Sequence, residues 1–509
     1  MAGPTAVEGE FATLAELIVA AAAQIGDHEA FVDVASGQRL TFRQCADAAA
    51  GVAARLRELG VGRGDVVAVA LEPSIDFAVA STAGALVGAV VTGVNFRLGP
   101  REIAGIVEKC RPAVVIFEAG LALPGDLFGA LVLHRAELAA IAPGDITAWQ
   151  IPPGITADDP AVIIWTSGTT GMPKGAWLDH RGLAGAVRTA GEMTVAFDRR
   201  ISGIPMAHAG FMAKQWEQWA MGFALVLTPT PWTAAMMLEV LVTERITAGA
   251  GVPTQWAKLL DEPGIDEADL SALRICLAAA APAAPELVER MGQVLGAPVV
   301  VRYAMTESPS ISGTTTTDPP EVQYRTVGRP QDGVRLKLVD ADGAEVAPGE
   351  VGRVCIIGPC VMRGYWNDPE LTAAAFDADG WLVSGDLGRS DPVGNLVLVG
   401  RVNDMYIRGG YNVYPLEVEN VLAEHPAVST AAVIGVAAPV IGEIGVACVV
   451  AADPAAPPTI ADLRGWVRER LADYKAPDEL LVVDALPLTA VGKVDKLALK
   501  ATLATRSTP

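Results

Sequence analysis

Short, uninterrupted apolar runs punctuate this chain. Val66-Val67-Ala68-Val69-Ala70, Ala113-Val114-Val115-Ile116-Phe117, Ala161-Val162-Ile163-Ile164-Trp165 and Pro298-Val299-Val300-Val301 are the clearest, and Ala/Leu-rich stretches of helical spacing lie between them. A run without polar positions predicts a strand buried on both faces, and strands alternating with helices predict an α/β architecture. From Val334 to Val399 the pattern changes. Arg335-Leu336-Lys337-Leu338-Val339 and Arg353-Val354-Cys355-Ile356-Ile357 flank the turn signal Asp340-Ala341-Asp342-Gly343, which predicts a distorted antiparallel barrel over residues 330–400. A break falls between Gly400 and Asn403. Beyond it helix and strand patterns alternate again around a Pro/Ala-rich loop at Asp453–Pro458, predicting domains over 1–402 and 403–509, the second a small α+β unit.

One stretch invites a different reading. Phe77–Phe96 is 20 residues without a charge, long enough to cross a bilayer. Its Ala, Gly, Ser and Thr content and the interruptions at Gly84, Gly88 and Gly93 predict instead a buried helix that feeds a strand through Gly88-Ala89-Val90-Val91.

Composition narrows the function classes. The formal charge of −21, from 59 acidic and 38 basic residues, argues against a nucleic-acid surface, which needs a basic footprint. Six scattered cysteines (Cys45, Cys110, Cys276, Cys355, Cys360, Cys448) with no Cys-x-x-Cys pair fit reduced thiols. Met1–Glu10 has no basic, hydrophobic, cleavable pattern, so a cytoplasmic location is expected.

The chemistry begins directly after the strand at 161–165. Thr166-Ser167-Gly168-Thr169-Thr170-Gly171-Met172-Pro173-Lys174-Gly175 combines glycines that let backbone N–H groups converge, hydroxyl donors and one compact cation. Such a loop suits a polyphosphate. It is not a Walker A sequence, because Gly175 stands where the metal-holding Ser or Thr would follow the lysine. Downstream come Tyr303-Ala304-Met305-Thr306-Glu307, Trp381-Leu382-Val383-Ser384-Gly385-Asp386, Gly400-Arg401-Val402-Asn403-Asp404, Gly409-Gly410-Tyr411-Asn412-Val413-Tyr414-Pro415 and Pro487-Leu488-Thr489-Ala490-Val491-Gly492-Lys493.

In this order the blocks resemble the acyl-adenylate-forming superfamily of acyl-CoA ligases, firefly luciferase and peptide-synthetase adenylation domains, over essentially the whole chain. The resemblance implies a large N-terminal domain of two α/β subdomains plus the barrel, followed by a small mobile α+β C-terminal domain. It implies an AMP-forming acyl-CoA ligase that uses ATP (or acyl-AMP), Mg²⁺ and coenzyme A on a small-molecule carboxylic acid. By the same resemblance Thr166–Gly171 and Lys174 hold the β- and γ-phosphates, Thr306 the α-phosphate and Glu307 the metal. Ala280, Ala281, Pro282 and Tyr303 border adenine, Asp386 and Arg401 the ribose, and Lys493 bridges α-phosphate and carboxylate. His208, Phe211, Met212, Arg302, Ala304 and Met305 line the acyl pocket, which offers no carboxylate to an amino group and is expected to take a fatty, aromatic or alicyclic acid. Arg408-Gly409-Gly410 forms the CoA tunnel once the small domain turns about Asn403. Met221, Met236 and Met237 suit either an adaptable acyl surface or helix-core packing. His180 reads as structural.

Some positions depart from the superfamily's pattern. Val301, Ala304 and Ala279-Ala280 stand where relatives usually carry an amide side chain or glycines, Ser384 replaces Thr, and Arg302 brings a guanidinium toward the acyl wall. Two readings stay open: a pocket repacked for a partly polar acid, or weak adenylation with acyl-AMP supplied by a separate adenylating enzyme. A stand-alone adenylation enzyme loading a carrier protein and a non-catalytic acyl-nucleotide binding protein are the rival function classes. A homodimer is a further expectation.

Overall fold

A computed structural model describes residues 5–506 apart from 122, 167–172, 204, 280–282 and 490–492, and the side chains of 504–506. Two large sheets form the body of the chain. The first has seven strands in the spatial order Gly364–Tyr365, Lys174–Asp179, Pro160–Thr166, Val90–Gly93, Val66–Ala70, Val114–Phe117, Leu131–His134. Its strands from Pro160–Thr166 outward to Leu131–His134 pair in parallel. The two strands beyond Pro160–Thr166 pair antiparallel. The second sheet has nine strands, from Arg329–Pro330 through Ser308–Gly313, Val299–Met305, Ile275–Ala279, Ala248–Gly251, Arg199–Ser202, Ala224–Leu227 and Glu29–Asp33 to Arg39–Thr41. One apolar core joins them, with Val67, Val69, Ile116 and Ile164 from the first sheet packed together with Phe31, Leu225, Leu227 and Ile311 from the second and with helices Leu14–Gln24, Phe42–Glu58 and Ile75–Val87.

The uncharged stretch 77–96 becomes helix Ile75–Val87 and strand Val90–Gly93. Ser74 caps the helix by accepting from the Phe77 N–H at 3.3 Å, and Gly88 ends it at φ +75°, a conformation that excludes most side chains. Among the described residues no helix is long and apolar enough to cross a membrane.

Residues 335–401 supply four antiparallel strands, Arg335–Val339, Gly352–Ile357, Leu382–Ser390 and Leu396–Arg401. Register shifts between Arg353 and Cys355 and between Leu387 and Gly388 give this sheet its distortion. The last five-stranded sheet begins with Tyr406–Arg408 and has a core of its own, built on Tyr406, Val418, Leu422, Val433, Val449 and Leu463. Residues 402–405 therefore connect two separately packed bodies.

His180 is structural in the fold. Its Nδ1 accepts from the Leu14 N–H at 3.2 Å, and its burial lowers the imidazole pKa.

Candidate active site

Thr166, Ala279 and Met305 stand at the carboxyl ends of their strands, the usual place for ligands in open α/β sheets. Pro160–Thr166 and Lys174–Asp179 run antiparallel with Thr166 opposite Lys174, so the glycine and hydroxyl loop is the hairpin connection between them. Ser167, Gly168, Thr169, Thr170 and Gly171 lie outside the described residues, as do Ala280, Ala281 and Pro282 after strand Ile275–Ala279. Strand Val299–Met305 reverses into Ser308–Gly313 with Met305 opposite Ser308, so Thr306 and Glu307 form the tip of a tight hairpin.

Three polar groups on facing strands interlock there. Tyr303 Oη donates to Asp386 Oδ2 at 2.6 Å and Arg401 Nε donates to Asp386 Oδ1 at 2.9 Å. Ser384, the serine in place of threonine, accepts from the Asp386 N–H at 3.1 Å and so fixes the backbone that carries that carboxylate. Burial and the facing Asp386 push the Tyr303 phenol well above its ordinary pKa, which keeps it a donor.

Lys493 reaches this group from the small domain. Its loop is closed by the Thr489 N–H on the Lys493 carbonyl at 2.7 Å and by pairing of Leu488 with Val494. The residue presents much of its surface to solvent. Its ammonium nevertheless has a pKa lowered by burial and by Arg401, while Asp386 and Glu307 act in the opposite sense. Those three charged neighbours all belong to the large domain.

His208 is the neighbour on the acyl side. Asn95 Nδ2 donates to its Nε2 at 3.2 Å, which fixes the neutral tautomer with the proton on Nδ1. Burial, and then Lys493, lower its pKa to about 4. Between pH 6.5, the ordinary imidazole value, and about 4 the unfolded chain takes up a proton that the folded chain refuses, so His208 makes the fold less stable as pH falls through that window. A His208→Gln variant is expected to show a flatter dependence of its unfolding temperature on pH between 6.5 and 4; an unchanged slope would show that His208 titrates normally.

Several residues expected on the acyl wall lie elsewhere. Phe211 is buried edge-on against Phe77, with ring centroids 5.7 Å apart, and Met212 is 0% exposed in the core between the sheets. The short helix Ala209–Met212 turns these two inward while Gly210 stays exposed. Arg302 also departs from expectation. Its Nη1 donates to the Thr189 carbonyl at 3.2 Å and its Nη2 to the Ala190 carbonyl at 2.6 Å, so it caps the last turn of helix His180–Ala190. Glycines at 191 and 313 leave room for it, since a Cβ at either would touch the guanidinium or its stem. Met221 and Met237 are core residues. Ala304 and Met305 are partly exposed at the end of their strand. Val301 packs into the second sheet's own core with Ile201, Met237 and Trp256.

Arg408-Gly409-Gly410 stands apart from this assembly. It closes the hairpin between Tyr406–Arg408 and Tyr411–Val413, with φ +58° and +87° at the glycines, and Arg408 makes a two-point pair with Asp478 at 2.8 and 2.7 Å. Asn403 is exposed in the connector.

Two further groups were not singled out from the sequence. Tyr365 Oη donates to Glu307 Oε1 at 2.8 Å, and its ring lies under the Lys174 ammonium at 5.7 Å. Asn95, next to last in the uncharged stretch, holds His208. Their signal in the sequence is slight, a tyrosine after glycine and a lone amide after an apolar run. A cavity of about 250 Å³ opens between Phe96, Arg97, Pro205, Trp232, Lys258 and Leu488.

The family model of AMP-binding enzymes matches residues 18–366, and that of the AMP-binding enzyme C-terminal domain matches 417–493. The chain belongs to the AMP-binding enzyme family. This AMP-binding enzyme is 37% identical to a methyl-dioxo-octahydroindenyl-propanoyl:CoA ligase of Mycobacterium tuberculosis, covering 94% of the chain and 96% of the relative. It is 34% identical to a feruloyl-CoA synthase of Amycolatopsis sp, covering 90% and 93%. Among solved structures, ATP-bound MatB from Rhodopseudomonas palustris superposes with a TM-score of 0.87 at 28% identity, over 96% of this chain and 98% of that one. The anthranilate CoA ligase AuaEII in complex with anthranoyl-AMP superposes with a TM-score of 0.88 at 25% identity, over 98% and 99%. Within the AMP-binding enzymes the chain is an AMP-forming acid–thiol ligase, an acyl-CoA synthetase.

Proposed function

We propose that this ligase activates a ring-bearing, largely apolar carboxylic acid as its acyl-AMP and passes the acyl group to coenzyme A, with both half-reactions carried by this chain. The observation that supports it most is the position of Lys493, brought by the small domain to Asp386, Arg401, Glu307 and His208. In the first half-reaction a carboxylate oxygen attacks the α-phosphorus of ATP and pyrophosphate leaves. Lys493 draws the two anions together, Thr306 donates to the α-phosphate, and Thr166–Gly171 with Lys174 hold the outer phosphates. Asp386 and Arg401 receive the ribose beside Tyr303.

Glu307 fits a Mg²⁺ ligand. One of its oxygens is fixed by Tyr365, and among the described residues no donor is bonded to the other, as a hard cation shared with phosphate oxygens requires. Glu307 would hold Mg²⁺ through that second oxygen, and the bound ion would supply positive charge to the phosphates. Tyr365 then positions Glu307. A Tyr365→Phe variant should need about tenfold more Mg²⁺ for half-maximal ATP–pyrophosphate exchange, with its use of preformed acyl-AMP unchanged; an unaltered Mg²⁺ requirement would remove Tyr365 from the site.

In the second half-reaction the thiol sulfur attacks the acyl carbonyl carbon, AMP leaves and the thiol proton passes to water. In this reading the cavity between Phe96, Arg97, Trp232, Lys258 and Leu488 is the thiol arm's way in, with Arg97 and Lys258 as cations for its phosphates. Rotation about Asn403 withdraws Lys493 and brings Arg408-Gly409-Gly410 to that approach. Mass-spectrometric detection of acyl-AMP and acyl-CoA across a panel of aromatic, alicyclic and fatty acids tests the reading. Formation of both from a ring-bearing acid supports it; thioester from synthetic acyl-AMP alone would show that adenylation is supplied elsewhere.

A further inference from the structure

The bond between Asn95 and His208 decides where the imidazole keeps its proton. Strand Val90–Gly93 ends against the segment that carries His208, and a Cβ on Gly93 would fall 2.5 Å from the Ala207 Cα, so glycine is what lets the two backbones come this close. Asn95 follows two residues later. It is 5% exposed, in a turn closed by the Leu98 N–H donating to the Asn95 carbonyl at 3.0 Å. Its side-chain oxygen accepts from the Arg97 N–H at 3.0 Å. That contact sets which way the amide points, because the opposite orientation would put an NH₂ against an N–H. The amide nitrogen is therefore the atom 3.2 Å from His208 Nε2, so Nε2 accepts and the proton sits on Nδ1.

The Nδ1–H is left over. His208 precedes the short helix Ala209–Met212 in an extended conformation, φ −95° and ψ 168°, and its side chain makes no bond to the helix N–H groups. Among the described residues nothing accepts from Nδ1. Lys493 acts on the ring, and Asp386, Glu307 and Arg401 act on Lys493, so an uncharged donor and an ammonium lie near the place where carboxylate and α-phosphate are proposed to meet. The ring is neutral at pH 7, with its pKa at about 4, and a neutral donor lies beside an ammonium without repelling it.

We propose that His208 donates its Nδ1–H to the oxygen of the acid that becomes the acyl carbonyl, in both half-reactions, and that Asn95 is the positioning residue that keeps the proton on that nitrogen. The proposal rests on the acyl-CoA ligase reading above and deepens its mechanism. In the first half-reaction one carboxylate oxygen bonds to the α-phosphorus, and the other, held by Nδ1–H, becomes the carbonyl. In the second the thiol sulfur bonds to the carbonyl carbon, and that same oxygen carries negative charge until the bond from carbon to the AMP oxygen breaks and the carbonyl re-forms. His208 gives up no proton; the thiol proton passes to water. Lys493 has been withdrawn by then in the reading above, whereas His208 stays with the large domain. A donor aimed at an oxygen that gains charge favours the transition state over the bound acyl-AMP.

Two measurements test the proposal. In enzyme labelled with ¹⁵N at its five histidines, the signal lost in His208→Phe or His208→Gln belongs to His208, and at pH 7 the wild type is expected to show a protonated Nδ1 and an unprotonated Nε2 there. Asn95→Leu, which keeps the side chain's shape and removes the amide, should shift that signal toward the Nε2–H form. Thioester formation is then followed from two synthetic probes, 3-phenylpropanoyl-AMP and 3-cyclohexylpropanoyl-AMP. His208→Phe should slow it by about a hundredfold through kcat, with KM for the probe nearly unchanged, whereas His208→Gln, whose amide still donates, should keep part of the rate. Asn95→Leu should lose a smaller factor, also in kcat; a tautomer and a rate unchanged in this variant remove Asn95 from the role. A protonated Nε2 at His208 in the wild type overturns the proposal even where a variant fails to fold, and so does a His208→Phe rate equal to wild type. Either result leaves the ligase reading intact. Absence of thioester from both probes with the wild-type enzyme strikes the ligase reading instead.

Discussion

Lys493→Ala is expected to lower acyl-AMP formation by about two to three orders of magnitude, the loss that accompanies removal of one preorganised donor from a developing anion. Thioester formation from supplied acyl-AMP is expected to stay within a few-fold of wild type. The asymmetry follows from where Lys493 comes from. Asp386, Arg401, Glu307 and His208 belong to the large domain, whereas this ammonium is delivered on a loop that pairs Leu488 with Val494 in the small one. Burial, and then Arg401, hold its pKa below the ordinary lysine value, and Asp386 and Glu307 offset part of this. A chain that keeps a cation in such surroundings gains when two further anions, a carboxylate and a phosphate, arrive there. Rapid-quench measurement of the two half-reactions decides the matter, and equal losses in both would sink the assignment.

Glu217→Gln is expected to destabilise the large domain by about 3–5 kcal/mol, because it leaves Arg200 and Lys214 as uncompensated charges in the interior. Replacing all three together, as Glu217→Leu, Arg200→Met and Lys214→Met, should recover much of that loss, since burying well-packed apolar side chains costs less than burying unpaired ions. The pH dependence has a definite sign. The Glu217 carboxyl lies at about 2 in the fold against 4.5 ordinarily, despite its burial, because Lys214 and Arg200 face it. Its contribution is present above pH 4.5 and is lost as pH falls toward 2. Thermal unfolding of the wild type should therefore steepen below pH 4.5, and the variant should lack this component. An unfolding temperature within a few degrees of wild type at pH 7 would refute the argument.

The sheets were legible in the sequence because their strands are continuous apolar runs: 66–70, 113–117, 161–165 and 298–301 all became strands with edges within a few residues. Motif order singled out Tyr303, Asp386 and Arg401, but not the hydrogen bonds that link them. What pattern did not convey was direction. Phe211 and Met212 sit in the right motif but one helical face away from the cleft, and Arg302 turns back to a helix end whose carbonyls nothing in the local sequence announces. Tyr365 and Asn95 escaped because each meets its partner across a long separation, 58 and 113 residues, and such contacts leave no local period to read.

Arg401 is the last residue of strand Leu396–Arg401, and the connector to the small domain starts at the next position, with the Asp404 N–H bonded to the Arg401 carbonyl at 3.1 Å. The same side chain grips Asp386, where the nucleotide sugar is proposed to rest. One residue thus joins the start of the connector to the carboxylate proposed to seat the nucleotide sugar. On that proposal, loss of AMP would release the Arg401 side chain at the base of the small domain, so the nucleotide would leave before the domain returns.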